Sequence, residues 1–189
     1  MHFKLGLYEH QSASAIDGLI NLLSEHHQEI LKDGDINNIK KINIIAYEPA
    51  FSIIGDPAKM KPTTRQSADH SMPYIISTLL RKAFEKQANI LEEHDPEDLW
   101  KYLMLLPADY NHNALFCEVT RTIMDKVHFT HGGPEYDELY PQGIPTSISI
   151  TMQDDKTYDS GMVLYPGGHA HNETVSLSEI LQHKFIRLG

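Results

Sequence analysis

The chain has 189 residues, of which 41% are hydrophobic and 22% charged, so it can bury a core as a single domain and does not have the composition of a disordered protein. Its 26 acidic and 16 basic residues give a net charge of −10, which repels phosphate backbones and anionic lipids and so disfavours nucleic acids and membranes as partners. Cys117 is the only cysteine, which excludes an internal disulfide, a cysteine-rich zinc module and an iron–sulfur cluster held by several thiolates of this chain.

Hydrophobic periodicity and turn residues predict a succession of helices and strands. In chain order, these are a helix over 9–29, a strand over 39–47, helices over 65–87, 95–106 and 113–126, strands over 127–131, 144–152 and 158–165, and a helix over 176–186. The last two strands alternate apolar and polar residues on either side of a turn, which predicts a hairpin. Helices segregated from a small, mostly antiparallel sheet predict an α+β domain over 1–189.

Prolines and capping residues set several of the predicted boundaries. Pro49 is expected to end the first strand. Thr64 is expected to cap the helix over 65–87, which Pro73 kinks or restarts. Ser176, with Glu179 three residues later, has the pattern of a capping box at the start of the final helix.

The histidines and the cysteine have ordinary interpretations. His169 and His171 could chelate a metal together with His131 or His112, but a zinc site needs three or four converging ligands, and the sequence has no H-E-x-x-H motif and no cysteine pair. We therefore predict no metal. Cys117 is expected in the middle of the helix over 113–126 as a packed, inert thiol.

The segment over 4–12 carries the first candidate chemistry. Lys4 and His10 lie just before a predicted helix, whose free N–H groups favour an anion. Each of the two side chains could hold a carboxylate.

The segment over 64–74 carries the second candidate chemistry. His70 and Tyr74 are four residues apart, which places them on one helical face, with Asp69 and Ser71 beside them. We interpret the pair as a proton-transfer couple, with capping and hydrogen bonding as the alternative role for these polar side chains.

Five stretches of sequence together resemble a known family. They are FKLGLYEHQSA at 3–13, AYEPAFSIIGDPAK at 46–59, TRQSADHSMPYI at 64–75, EYDELYPQGIPTSISI at 135–150 and YPGGH at 165–169. Taken together they resemble the C-terminal part of the MmgE/PrpD family, which includes the 2-methylcitrate dehydratases and relatives such as cis-aconitate decarboxylase.

The resemblance implies a two-domain subunit, with a large helical N-terminal domain and this smaller α+β domain on either side of a tricarboxylate substrate. It implies a homodimer that uses no cofactor and works in a bacterial cytoplasm or the mitochondrial matrix. It also implies that the chain is a fragment without its helical domain, and that the fragment alone is inactive. No stretch approaches the roughly 20 apolar residues of a membrane span, which agrees with a soluble enzyme.

Dehydration of a 3-hydroxy acid needs a base beside a carboxylate, an acid for the departing hydroxyl and cations for the charge that builds up. The site residues that the resemblance implies are His10, His70 and Tyr74 for catalysis and Lys4, Arg65 and Ser71 for substrate binding. We expect His10 or His70 to transfer the proton and Lys4 to stabilise charge; which histidine is the acid stays open.

Two alternatives remain open from the sequence. A family member could act as a decarboxylase or epimerase on small polycarboxylates. The chain could also be a non-catalytic assembly module, in which case an exposed apolar surface should seek a partner.

Overall fold

The computed structural model describes residues 2–87 and 98–188. Its helices are α1 (Ala13–Ile30), α2 (Glu48–Ile54), α3 (Arg65–Ala68), α4 (Met72–Glu85), α5 (Leu99–Leu103), α6 (His112–Leu115), α7 (Glu118–Met124), α8 (Pro134–Asp137) and α9 (Leu177–Leu188). Its strands are β1 (Ile39–Ala46), β2 (Val127–His131), β3 (Thr146–Met152) and β4 (Thr157–Val163). Short 3₁₀ turns cover His10–Ser12, Lys32–Gly34, Ile36–Asn38, Pro57–Lys59 and Pro107–Tyr110.

The four strands form one mixed sheet in the order β2-β1-β3-β4. β1 is antiparallel to β3, and β3 is antiparallel to β4, which confirms the predicted hairpin and the α+β class. β2 joins the other edge of β1 in parallel, with Ile42 opposite Val127. A parallel neighbour requires a long crossover connection, and α2 to α7 lie in that connection.

Helix α1 packs directly on β3 and β4. Its apolar residues Ile16, Leu19 and Leu23 are buried, as the periodicity over 9–29 predicts. A Cβ on Gly18 would lie 2.9 Å from the Cγ2 atom of Ile148. The absence of a side chain at Gly18 therefore lets the helix approach the sheet closely.

The first strand ends before Pro49, as predicted. Pro49 also lies in the first turn of α2, where proline needs no N–H partner and starts a helix. One predicted helix is wrong. The helix predicted over 113–126 is two helices, and Cys117 is the extended N-cap of α7. Arg121 stabilises the break between the two helices, because its Nε atom donates a hydrogen bond to the carbonyl oxygen of Leu115 at 2.9 Å.

The remaining boundary predictions have mixed outcomes. The restart at Pro73 is confirmed by the division between α3 and α4. The Ser176 capping box is confirmed, because the Glu179 amide donates to the Ser176 hydroxyl at 3.2 Å. The predicted start of the helix over 95–106 lies outside the described residues. Within the described residues, no helix is long and apolar enough to cross a membrane.

The N-terminal segment is fastened to the loop that follows β4. The Phe3 amide donates to the Gly168 carbonyl oxygen at 2.9 Å, and His2 forms an isolated β-bridge with His169. Gly168 has φ +85°, and a Cβ there would lie 2.0 Å from the Phe3 carbonyl oxygen. Glycine at this position thus allows both the left-handed backbone conformation and the close approach of the two chain segments.

We predict that Gly168→Ala destabilises the protein by several times more than Gly161→Ala. Both glycines have positive φ, but nothing lies within 4 Å of a Cβ at Gly161. The control should therefore lose only the strain of about 1–2 kcal/mol, whereas Gly168→Ala also displaces Phe3. Urea unfolding of the two variants measures the difference, and equal losses would contradict the close approach.

Candidate functional site

The N-terminal segment, residues 2–9, is held by hydrogen bonds to distant loops. The Leu7 amide donates to the Leu105 carbonyl oxygen at 3.0 Å, and the Glu9 amide donates to the Asp69 carbonyl oxygen at 2.9 Å. The buried Tyr110 hydroxyl donates to the Leu7 carbonyl oxygen. These bonds bring the segment beside the turn between α3 and α4.

That turn is produced by two consecutive caps. Thr64 caps α3, where the Ser67 amide donates to the Thr64 hydroxyl at 3.2 Å. Ser71 caps α4, where the Tyr74 amide donates to the Ser71 hydroxyl at 3.3 Å. His70 lies between the helices and is exposed.

The segment and the turn enclose a cavity of about 300 Å³, here called the Lys4 cavity. It is lined by Lys4, Leu7, Tyr8, Glu9, His10, Arg65, Asp69, His70 and Tyr110. Four residues predicted from two separate stretches of sequence, namely Lys4, His10, Arg65 and His70, therefore lie around one space.

The other two predicted site residues lie elsewhere. Tyr74 is fully buried, and its hydroxyl donates to the Asp109 carbonyl oxygen at 2.5 Å. Ser71 is also buried, and its hydroxyl donates to the Lys59 carbonyl oxygen at 2.6 Å. The expected couple between His70 and Tyr74 on one helical face is wrong, because His70 precedes the helix that contains Tyr74.

Two carboxylates that the sequence did not single out as site residues line the same cavity. The Asp69 carboxylate is hydrogen-bonded to the Nδ1 atom of His70. Since Asp69 occupies Nδ1, a ligand would meet the Nε2 atom, which is the arrangement of an oriented acid–base histidine. Glu9 accepts a hydrogen bond from the Gln11 amide at 2.7 Å. The cavity therefore has two carboxylates beside its two permanent cations, Lys4 and Arg65.

The fold uses only part of the hydrogen-bonding capacity of the Lys4 ammonium group. Its Nζ donates to the Tyr8 carbonyl oxygen at 2.7 Å. A lysine ammonium has three N–H donors, so a ligand carboxylate can bind to the others.

A second cavity of about 340 Å³, here called the Tyr47 cavity, adjoins the first and shares Glu9 and His10 with it. It is lined by His2, Glu9, His10, Gln11, Tyr47, Tyr140, Pro141, Gly143, Ile144 and His169. Some of these lining residues have buried polar atoms without a hydrogen-bond partner among the described residues. These atoms are both ring nitrogens of His2, the Oε1 atom of Gln11 and the hydroxyl of Tyr47. Unpaired buried polar atoms also occur away from this cavity, at Ser14 in α1, Thr78 in α4 and Thr120 in α7.

Three histidines of the Tyr47 cavity form a cluster. The ring centroids of His2 and His10 are 4.6 Å apart, and those of His2 and His169 are 5.8 Å apart. Burial and the neighbouring His10 lower the pKa of His2 to about 4. Partial burial also lowers the pKa of His10 and of His169. The cluster is therefore neutral at pH 7.

The metal chelate considered for His169 and His171 does not form with the predicted partners. The Nε2 atom of His131 is hydrogen-bonded to the Asp137 carboxylate at 2.9 Å. The ring of His112 packs on Phe116. Over residues 2–87 and 98–188, no group of three or more His, Cys, Asp or Glu side chains is arranged to hold a metal ion.

The sequence identified only part of this site. Glu9 and Asp69 adjoin predicted residues and could have been found by asking which side chains support His10 and His70. The roles of His2, Tyr47 and His169 depend on contacts between segments far apart in the chain, and no local motif indicates them.

Comparison with known proteins gives one finding. Residues 8–93 match the family model described as the MmgE/PrpD C-terminal domain. The matched region contains His10, Arg65, Asp69 and His70 of the Lys4 cavity. A search of the curated proteins found no match.

The lowered pKa of His2 can be tested by NMR titration of the imidazole signals. We expect His2 to titrate near pH 4 and its pKa to rise in His10→Gln, because that variant removes a neighbouring positive charge at low pH. The pKa should stay below 6.5, since burial is the larger cause. His128→Gln, an exposed histidine on β2, serves as the control and should leave the pKa of His2 unchanged.

The same pKa shift predicts how stability depends on pH. Between pH 6.5 and about 4 the unfolded state binds the proton that folded His2 rejects, so His2 makes the free energy of unfolding fall as the pH is lowered through this range. His2→Gln should flatten that part of the stability profile in urea unfolding. An unchanged profile would contradict the burial of His2.

Proposed function

We propose that this chain, whose residues 8–93 match the MmgE/PrpD C-terminal domain, belongs to that family and is the small domain of a 2-methylcitrate dehydratase that converts 2-methylcitrate to 2-methyl-cis-aconitate in propionate catabolism. One observation carries the proposal. Lys4, His10, Arg65 and His70, from separate stretches of the sequence, line one cavity. Two cations and two imidazoles around one space suit a substrate that has carboxylates and must lose and gain protons.

The described residues supply most of the needed chemical roles. A neutral imidazole accepts a proton, so the Nε2 atom of His70, oriented by Asp69, and the ring of His10 are the candidate bases. The Lys4 ammonium is placed to stabilise the charge that develops on a carboxylate when the adjacent C–H bond is broken. Whichever imidazole carries the proton then serves as the acid for the departing hydroxyl.

The charge balance of the Lys4 cavity supports the need for a second domain. Glu9 and Asp69 offset Lys4 and Arg65, so this chain alone has no excess of positive charge with which to hold a tricarboxylate. We propose that the helical domain of the family supplies the remaining cations, that this chain alone is inactive, and that the complete subunit forms a homodimer.

A decarboxylase or epimerase acting on small polycarboxylates is the second candidate from the same family. The same cations and imidazoles could serve either reaction, because both also break a bond next to a carboxylate. The activity assay below distinguishes the candidates by the product that each forms.

An assembly module is a third candidate, and helix α9 carries the observation that favours it. Ile180 anchors the helix in the core, whereas Leu181, Phe185 and Ile186 are 51%, 82% and 69% exposed. Neighbouring exposed apolar side chains on one helix are typical of an interaction surface. We propose that α9 packs against the helical domain or a second subunit.

The dehydratase proposal predicts activity when this chain is combined with a helical domain of the family. The unsaturated product absorbs ultraviolet light, so 2-methylcitrate is supplied to each protein alone and to the mixture. His70→Ala should lower kcat by about 10²–10⁴-fold, and Lys4→Ala by about 10²–10³-fold. Lys40→Ala removes a lysine that pairs with Asp155 far from the cavity and should retain activity. Full activity in both His70→Ala and Lys4→Ala would contradict these roles.

The α9 surface predicts that the isolated chain self-associates. Phe185→Asp should weaken the association measured by sedimentation about tenfold and change the free energy of unfolding by less than about 0.5 kcal/mol, because Phe185 is 82% exposed. Ile53→Asp changes an exposed apolar residue of α2 and is the matched control. A chain that stays monomeric at all concentrations would contradict the assembly role.

A further inference from the structure

The position of Lys4 depends on a side chain of α9, near the other end of the chain. The Nζ atom of Lys184 donates a hydrogen bond to the Lys4 carbonyl oxygen at 2.8 Å. Among the described residues, no other group donates to that oxygen. The contact is partly buried, and a buried carbonyl oxygen that loses its partner destabilises the conformation that buries it. Lys184 therefore favours the observed conformation of the Lys4 peptide group.

Lys184 holds one end of a peptide group whose other end is held by Tyr8. The amide of Leu5 belongs to the same peptide group as the Lys4 carbonyl, and it donates to the buried Tyr8 hydroxyl at 2.9 Å. The Tyr8 carbonyl oxygen in turn accepts a hydrogen bond from the Nζ atom of Lys4 at 2.7 Å. Residues 4–8 thus close a loop on themselves, and Lys184 ties this loop to α9.

The orientation of this loop decides where the Lys4 ammonium lies. Lys4 and Tyr8 line the Lys4 cavity from this side, and Arg65 and His70 line it from the α3 helix and the turn before α4. A rotation of the loop would therefore change the distance between the Lys4 ammonium and the proposed base. A displacement of about 1 Å at a reacting group can lower a rate about 10²-fold.

Lys184 acts on the cavity indirectly. It is not one of the residues that line the Lys4 cavity, so a ligand bound there would not touch it. Partial burial and the neighbouring Lys4 lower the pKa of Lys184, because two ammonium groups close together repel each other. The hydrogen bond to the Lys4 carbonyl oxygen therefore holds Lys184 beside a like charge.

Helix α9 is fixed to the core next to Lys184. Ile180, one helical turn before Lys184 and on the same face, is 0% exposed. The ring of the preceding residue, His183, contacts Trp100 with centroids 5.0 Å apart. These contacts give the Lys184 side chain a defined origin, which a positioning role requires.

We propose that Lys184 is a positioning residue of the Lys4 cavity, which holds the Lys4 peptide group so that the Lys4 ammonium faces a substrate carboxylate. This inference rests on the proposed function for the class of substrate. It makes helix α9 part of the site, although no described residue of the helix lines the Lys4 cavity.

Amide hydrogen exchange of this chain tests the attachment. Lys184→Met keeps most of the side-chain length and removes the donor. We expect the Leu5 amide, at the other end of the peptide group, to exchange about tenfold faster in Lys184→Met, which corresponds to the loss of one good hydrogen bond. Lys184→Arg retains a charged donor and should exchange as slowly as the unaltered chain.

Lys126→Met is the matched control. The Lys126 ammonium also joins two segments, by donating to the carbonyl oxygens of Ile36 and Ile39 at 2.7 and 2.6 Å, but it does not line the Lys4 cavity. Its loss should leave the exchange of the Leu5 amide unchanged. Unchanged exchange in Lys184→Met, or the same acceleration in Lys126→Met, would overturn the attachment.

Activity distinguishes positioning from a general loss of structure. In the mixture of this chain with a helical domain of the family, Lys184→Met should lower kcat by up to about 10²-fold and change KM less, because Lys4 is proposed to stabilise charge that develops during the reaction. In a Lys4→Ala background, Lys184→Met should cause no further loss, since residues that act through one another are not additive. Lys184→Arg should restore kcat, and Lys126→Met should retain it.

The outcomes separate the inference from the proposed function. An unaltered chain that is inactive on 2-methylcitrate with the helical domain would overturn the proposed function, whereas exchange of the Leu5 amide still decides whether Lys184 holds Lys4. Faster exchange with an unchanged kcat, or an equal loss of kcat with and without the Lys4 side chain, would overturn the positioning role. Faster exchange in Lys184→Met, its reversal in Lys184→Arg and no further loss in Lys4→Ala support the inference.

Discussion

The N-terminal segment, residues 2–9, has no helix or extended strand of its own, and its backbone must find hydrogen-bond partners elsewhere. It finds them in three separate loops, through the carbonyl oxygens of Asp69, Leu105 and Gly168. The Tyr110 hydroxyl and the Lys184 ammonium of α9 also donate to this segment, at the carbonyl oxygens of Leu7 and Lys4. Both cavities have this segment as one wall, so the site exists only because these distant parts of the fold hold it in place.

Burial and charge give the two halves of the site their different characters. The Lys4 cavity is lined by the basic residues Lys4 and Arg65 and by the acidic residues Glu9 and Asp69. In the Tyr47 cavity, burial lowers the pKa of His2 and of His10 and makes these groups neutral. The two adjacent spaces thus share Glu9 and His10 but differ in the charge of their other lining residues.

Local signals account for what the sequence predicted well. The β3–β4 hairpin, the division at Pro73 and the cap at Ser176 each depend on residues a few positions apart, and all three are confirmed. The break at Cys117 was missed because a side chain from the next helix, Arg121, satisfies the Leu115 carbonyl oxygen. In the site, the resemblance and the motifs indicated Lys4, His10, Arg65 and His70. Tyr47 was missed because its burial beside the second cavity depends on contacts that only tertiary structure shows.

The central position of β1 has a consequence for how the protein is made. β1 ends at Ala46, but its two neighbours in the sheet begin only at Val127 and Thr146. During translation from the N-terminus, both edges of β1 stay without their native partners until the segments that begin at Val127 and Thr146 have been made. Unpaired strand edges recruit other chains. Efficient synthesis of this protein should therefore depend on chaperones that shield β1 while the later strands are still being made.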